Sequence, residues 1–141
     1  MTDKREVSLT LGEMWLAGSS YLPQAGDHYA GLSREAGGTD NAGARFDRYG
    51  TIPGTPVSGT FPGPVFPAWE KVRDQFQGIL AQSATNLYDA GDLIIRVAAL
   101  FASEDEEIAQ GFREQQDKYK QNPGFTVEDP QDRQQPDLPD E

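Results

Sequence analysis

The stretch from Pro67 to Ala102, PAWEKVRDQFQGILAQSATNLYDAGDLIIRVAALFA, decides the fold of this chain. Its apolar residues recur every three or four positions, which is the period of an amphipathic helix. They are Trp69, Val72, Phe76, Ile79, Leu80, Ala84, Leu87, Ala90, Ile94, Val97, Ala98 and Phe101. Because Pro67 suits the first position of a helix, we predict a helix over 67–102, roughly 50 Å long. Its apolar face is wider than a single partner helix would cover.

A second helix is predicted upstream, at about 9–36. Small and apolar residues recur there at alternating spacings of four and three, which indicates one narrow helical stripe. The stripe consists of Leu11, Trp15, Gly18, Leu22, Ala25, Tyr29, Leu32 and Ala36. Thr10 and Glu13 have the spacing of a capping box, so we expect the helix to begin beside them.

Two features modify this upstream helix. Gly18 and Ala25 are small, and they would let another helix approach closely. Pro23 has no backbone N–H, so it should kink or break the helix near Ser19–Ser20.

Residues 37–66 are predicted to be a long Gly/Pro-rich connection. Gly37 and Gly38 should end the upstream helix, and the prolines at 53, 56, 62 and 64 exclude a central strand. The connection also holds more apolar residues than a free linker would. We therefore expect an irregular loop that lays rings such as Phe46 and Phe66 against the helices.

The segment 103–121 allows two interpretations. Ser103 and Glu106 could cap a new helix, with the acids of 104–107 in its favourable first turn. Alternatively, the long helix continues through this segment without a break.

The last residues, 122–141, are predicted to be a disordered acidic tail. From Phe125 onward they contain six acids, one arginine and three prolines, and few apolar residues. The complete expectation is an all-α domain over 1–121, a two-helix antiparallel hairpin with a long Gly/Pro-rich connection, followed by the disordered acidic C-terminal tail.

Composition and charge restrict the function. The net charge of −11 speaks against nucleic acid, since phosphate contacts need clustered lysine and arginine. The chain has no cysteine, which excludes disulfides and thiolate chemistry. The N-terminus does not have the pattern of a secretory signal peptide. The most apolar run, Leu93 to Phe101, is short and carries Arg96, so we expect no membrane insertion.

The sequence shows no constellation of residues that indicates catalysis. His28 is the single histidine and has no identifiable nucleophile or metal partner. The acids of 104–107 lack the alternating oxygen ligands and the turn glycine of a calcium loop. We therefore expect a non-enzymatic protein with no catalytic, cofactor or metal site.

The stretch Leu93 to Phe112, LIIRVAALFASEDEEIAQGF, resembles a known family. It is similar to the end of the second helix in the small helical-hairpin proteins of the actinobacterial type VII (ESX) secretion system. These form the WXG-like superfamily, and the likeness is to its excreted virulence-factor-like branch. The resemblance does not include the Trp-x-Gly turn, because Trp69 is followed by Glu70 and Lys71.

The resemblance implies an export signal made of a ring and a carboxylate four residues apart. Phe101 and Asp105 hold the family-like position, with Phe101 in place of a tyrosine. The exact spacing of tyrosine and acid occurs once, at Tyr88 and Asp92. On one helix the two groups of such a pair would lie on the same face, where a docking site could read both.

The predicted function is association with another protein. The resemblance implies a type VII secretion substrate or the pairing partner of one, cytoplasmic before an export that needs no cleaved signal. The partner would be a second copy, a related hairpin protein or a toxin. The residues expected at the interface are the larger apolar ones of both helices: Leu11, Trp15, Leu22, Trp69, Phe76, Leu87, Ile94 and Phe101. The alternative is a cytoplasmic acidic adaptor or immunity-type inhibitor that masks a basic partner.

Overall fold

The structure is a computed structural model that describes residues 3–51, 53–54, 56 and 58–139, without the side chains of residues 41, 48, 51, 61 and 62. It is predominantly helical. The α-helices are α1 (Lys4–Leu16), α2 (Leu22–Gly37), α3 (Phe66–Ala102) and α4 (Glu106–Gln121). A π-helical turn, Ala17–Tyr21, joins α1 to α2, and a 3-10 helix, Asp40–Phe46, follows α2. The strands are β1 (Asp47–Thr51) and β2 (Ser58–Pro62).

Helices α1 and α2 form one continuous helical rod through the π-helical turn, in which the Leu22 N–H donates to the Ala17 carbonyl. Pro23 cannot donate to the Ser19 carbonyl four residues earlier, so the regular hydrogen-bond ladder is interrupted here. The rod begins earlier than the capping-box interpretation predicted. Asp3 is the N-cap and accepts the Arg5 N–H, whereas the Thr10 hydroxyl donates to the Glu6 carbonyl.

The two-helix hairpin predicted from the sequence is wrong. Helix α3 does run antiparallel to the α1–α2 rod: α2 packs on its first half and α1 on its second. The chain then reverses at 103–105 and α4 returns along α1, parallel to it. One end of the molecule is thus a three-helix bundle, with a core of Leu11, Trp15, Ala98, Ala102 and Phe112.

The connection between α2 and α3 is also more regular than predicted. Strands β1 and β2 pair antiparallel from Asp47↔Pro62 to Thr51↔Ser58, forming a two-stranded sheet. The fold is therefore not purely α. Prolines do not prevent this pairing, because in a two-stranded sheet both strands are edges. The Phe46 ring lies 5.6 Å from the Phe66 ring and 6.0 Å from the Trp69 ring, which fastens the connection to the start of α3.

The prediction of a disordered tail is contradicted as well. In the structure, Phe125 packs on Tyr21 and Tyr119, and the residues that follow run between the rod and α3, bonding to α3 through Arg133 and Asp92. The Glu128 N–H donates to the Ser19 carbonyl at 2.9 Å, and the Asp137 N–H donates to the Ser33 hydroxyl at 3.0 Å. The composition predicted disorder because the tail has few apolar residues to bury. The contacts that hold the tail are hydrogen bonds, so they do not need apolar residues.

Over the part of the chain that the structure describes, none of the helices is both long and apolar enough to cross a membrane.

Candidate protein-interaction surface

Helix α3 carries two apolar faces, and only one of them is covered. The residues buried against the rod are Gln77, Leu80, Ala81, Ala84, Tyr88, Gly91, Ala98 and Ala102. A second stripe, which we call the α3 seam, runs beside them. It consists of Trp69, Val72, Phe76, Ile79, Ser83, Asn86, Ala90, Leu93, Val97 and Leu100.

The α3 seam is exposed although most of it is apolar. Val72, Phe76, Ile79, Leu93 and Leu100 are each between 55% and 64% exposed. Single exposed apolar residues are ordinary, but a continuous stripe along a helix of 37 residues indicates an interaction surface. The spacing alternates between three and four throughout, which is the heptad spacing of a helix that packs against another helix.

Two polar residues interrupt the seam at its centre. Ser83 donates to the Ile79 carbonyl at 2.8 Å, and the Asn86 side chain accepts from Gln82 at 2.9 Å. Charge is nearly balanced along α3, which contains four acids and three bases and so has a net charge of −1 against −11 for the chain. Most of the negative charge therefore lies away from this surface.

The structure divides the predicted interface residues into three groups. Leu11 and Trp15 are buried in the three-helix core and are not available to a partner. Leu22, Leu87 and Ile94 are half-buried. Trp69, Phe76 and Phe101 are exposed, the first two on the α3 seam and the third beside its end.

Phe101 and Asp105, the predicted export pair, do not share a helical face. Phe101 is 61% exposed near the end of α3. Asp105 is the N-cap of α4, where it accepts the N–H groups of Glu107 and Ile108 at 2.9 and 3.3 Å. It also pairs with Lys4 at 2.8 Å, and this hydrogen bond lowers the pKa of Asp105. Asp105 is thus already used to begin a helix.

Tyr88 and Asp92, the second ring-and-acid pair, lie one turn apart on α3 and are both engaged by the tail. The Arg133 guanidinium binds the Asp92 carboxylate through two hydrogen bonds of 2.6 and 2.9 Å, and it sits 5.1 Å from the centre of the Tyr88 ring. The Tyr88 hydroxyl donates to Asp27 at 2.6 Å and lies 3.1 Å from the Gln134 carbonyl.

Two carboxyl groups meet where the tail crosses α2. Burial raises the pKa of Glu128 to about 7, helped by the hydrogen bond and the charge of Asp27. Burial also opposes ionisation of Asp27, but hydrogen bonds from Glu128, Tyr88 and Gln134 outweigh it and lower the pKa of Asp27. Below about pH 7 the two carboxyls therefore share one proton, which burial and the Asp27 charge hold on Glu128.

This tail site cannot be read from the sequence pattern, because its residues are far apart in the chain. Two signals were present. Arg133 is the single basic residue of the acidic segment, and Pro23 leaves the Ser19 carbonyl without its usual helical donor.

His28 is exposed, with its ring 6.2 Å from that of Tyr29. Within residues 3–51, 53–54, 56 and 58–139, no three acidic or histidine side chains are grouped so as to hold a metal ion.

Comparison with known proteins adds no relative. No protein-family model matches the chain, and no curated protein or solved structure gives a significant match.

Proposed function

We propose that this protein is a non-enzymatic association module that pairs with a second copy of itself, antiparallel, through the α3 seam. The observation that carries the proposal is the exposed heptad stripe on a helix whose other face is already packed. Isolated apolar stripes of this length gain free energy when a partner helix removes them from water, by about 25 cal/mol per Å².

The seam is self-complementary about a point between Ala84 and Thr85. An antiparallel second copy centred there would bring Ser83 opposite Asn86, the two polar residues of the seam. Moving outward, the facing pairs would be Ile79 with Ala90, Phe76 with Leu93, Val72 with Val97, and Trp69 with Leu100. In three of these four pairs a larger residue faces a smaller one, and a polar pair at one core level fixes register and orientation.

The flanking charges are compatible with this pairing. Gln82 would lie beside Asp89 of the second copy, and Gln75 beside Arg96 of the second copy. No two like charges face each other along these edges, so the high net charge of the chain does not oppose contact at this surface.

Light scattering over a concentration series tests the self-pairing. We expect the wild-type protein to show twice the 15.5 kDa mass of one chain. Phe76→Ser and Leu93→Ser should each weaken the dimer roughly 100-fold or more, because each dimer loses two buried side chains worth about 1.5 kcal/mol or more apiece. Leu138→Ser is the matched control, since Leu138 is exposed on the tail and off the seam.

Disulfide trapping tests the orientation, because the chain has no native cysteine. A mixture of Ser83→Cys and Asn86→Cys proteins should form the mixed disulfide, since only facing residues come within bonding distance. Predominant pairing of each variant with itself would show a parallel dimer. A wild-type chain that stays monomeric and binds a hydrophobic dye would contradict self-pairing and direct the search to a different helical partner.

The proposed context is type VII secretion, in which the chain is a substrate or the partner of one. The resemblance of Leu93–Phe112 supports this, together with the exposed ring of Phe101. The test is to express the protein in an actinobacterial host with and without a functional ESX apparatus and to measure the protein in the medium. Phe101→Ala should reduce export, and equal export without the apparatus would remove this proposal.

The acidic-inhibitor alternative is separated from helix pairing by salt. A partner held by the excess negative charge should lose affinity steeply between low and physiological ionic strength, whereas pairing through the α3 seam should change little.

A further inference from the structure

The C-terminal segment, residues 125–139, occupies a recognition groove between α2 and α3. Three of its backbone N–H groups are bound in succession. Glu128 donates to the Ser19 carbonyl, Gln134 to the Asp27 carboxylate and Asp137 to the Ser33 hydroxyl, at 2.9, 2.9 and 3.0 Å. The backbone is extended at Asp129 and Arg133, on either side of one 3-10 turn, Pro130–Asp132. Backbone contacts of this kind hold a peptide whatever its side chains.

One side chain of the segment supplies specificity. Arg133 is only 13% exposed at its side chain and forms a bidentate pair with Asp92 beneath the face of Tyr88. A planar guanidinium fits a carboxylate and an aromatic face together, which a lysine does not do equally well. The groove therefore prefers an extended segment with an arginine at this position.

The groove also offers an acceptor that an ordinary helix would not have. Pro23 cannot occupy the Ser19 carbonyl, so that oxygen is free to accept the Glu128 N–H. Gly26 leaves room for the Tyr88 ring, because a Cβ at residue 26 would lie 2.5 Å from that ring. These features belong to the helices and not to the segment.

Glu128 is placed where its ionisation opposes binding of the segment. Its carboxyl faces Asp27 of α2 and Tyr88 of α3, with Asp132 and Arg133 of the tail nearby. One of its oxygens is buried without a hydrogen-bond partner, as is the Arg133 Nε atom. Two ionised carboxylates this close, with little water to screen them, repel each other, and Arg133 is already committed to Asp92.

We propose that the α2–α3 groove is a binding site for extended, arginine-bearing peptide segments. The chain's own C-terminal segment closes the site while the Asp27–Glu128 pair holds a proton, and the site opens when that proton is lost. The partner is a protein segment that presents an arginine and free backbone N–H groups as residues 125–139 do.

The direction of the pH effect follows from Glu128. Its pKa is about 7 in the docked state and 4.5 as the ordinary value, so the docked state binds the proton more tightly. The Glu128 contribution to docking is therefore complete below about pH 4.5 and is lost as pH rises from there through about 7. Between pH 5 and pH 8.5 we expect the docking equilibrium to weaken by about tenfold or more.

The first experiment follows the backbone amides of Glu128, Gln134 and Asp137 by NMR in the full chain between pH 5 and 8.5. We expect docked shifts and slow corrected hydrogen exchange at pH 5, and released shifts at pH 8.5. Glu128→Gln should stay docked across the range. Glu35→Gln removes an exposed acid from α2, the helix that carries Asp27, and should behave like wild type. Wild-type amides that stay protected at pH 8.5 would overturn the proposal.

The second experiment tests the groove with a labelled peptide of residues 124–139 carrying Gln in place of Glu128, so that the probe itself does not titrate. Fluorescence anisotropy should show binding to the full chain at pH 8 and at least tenfold weaker binding at pH 5.5, where the groove is closed. A probe in which Gln also replaces Arg133, and an Asp92→Asn chain, should each lose binding at pH 8. Equal binding by both probes would refute an arginine-reading groove.

Discussion

Gly18 and Gly91 show how single residues set the distance between the α1–α2 rod and α3. A Cβ on Gly91 would lie 2.7 Å from the Gly18 carbonyl oxygen, and a Cβ on Gly18 would lie 2.6 Å from the Gly91 carbonyl oxygen. Both obstacles are backbone atoms, so neither can move aside cheaply. The sequence indicated a close approach at Gly18, but it did not identify Gly91 as the residue on the other side.

We predict that Gly91→Ala destabilises the protein and that Gly78→Ala stabilises it. The new methyl group at 91 forces α3 away from the α1–α2 rod. This should lower the free energy of unfolding by about 1–3 kcal/mol, more than the gain in helix propensity. The methyl group at 78 meets nothing within 4 Å, so the free energy of unfolding should rise by up to about 1 kcal/mol. Urea denaturation of both variants is the measurement, and equal effects of the same sign would show that the crossing is not tight.

The sequence did not decide whether a separate helix α4 forms after α3. In the structure it does, and Asp105 is its N-cap. The sequence allowed either a new helix capped by Ser103 and Glu106 or an unbroken long helix. The structure has the new helix, with Glu106 and Glu107 in its first turn, but its N-cap is Asp105, and Ser103 is the C-cap of α3. The break lets α4 fold back and place Phe112 in the core with Leu11 and Trp15.

We predict that Asp105→Ala lowers the urea midpoint of the protein, whereas Asp105→Asn retains most of it. Alanine leaves two N–H groups of the first turn without an acceptor, while asparagine still caps them. Since the folded pKa of Asp105 is lowered by its Lys4 partner, the carboxylate's contribution is present above about pH 4 and is lost as pH falls below it. Glu104→Ala, one residue away and exposed, is the control and should have little effect.

At the scale of the whole molecule, α3 contributes one face to the buried core and presents a second apolar face, the α3 seam, to solvent. The rod covers one face of α3, and α4 covers α1. The Phe46 ring packs on Trp69 at the start of the seam, and the seam is otherwise exposed or half-buried from Val72 to Leu100. The seam contains Ser83 and Asn86 where a purely apolar stripe would bind a partner more tightly. We interpret this polar centre as the feature that selects one antiparallel alignment.

We predict that Asn86→Leu strengthens self-association roughly tenfold and relaxes its orientation, because the polar pair that specifies register is lost. Thr85→Leu is the matched control, since residue 85 is exposed beside the seam without belonging to it. Sedimentation equilibrium gives the affinity, and cysteine trapping at position 83 gives the orientation. Weaker association of Asn86→Leu would mean that Asn86 contributes an attractive contact and does not act as a register device.

The sequence by itself determined the features that are periodic along the chain. It predicted the long helix, an upstream helix disturbed near Ser19–Ser20, and an apolar face on α3 too wide for one partner. The two-helix hairpin, the irregular connection and the disordered tail were wrong, because each depends on contacts between distant residues. Composition cannot show that Ser19 has a spare carbonyl for Glu128, or that Arg133 reaches Asp92. Only the tertiary structure brought those groups together, since their energies come from geometry across the fold and leave no period in the sequence.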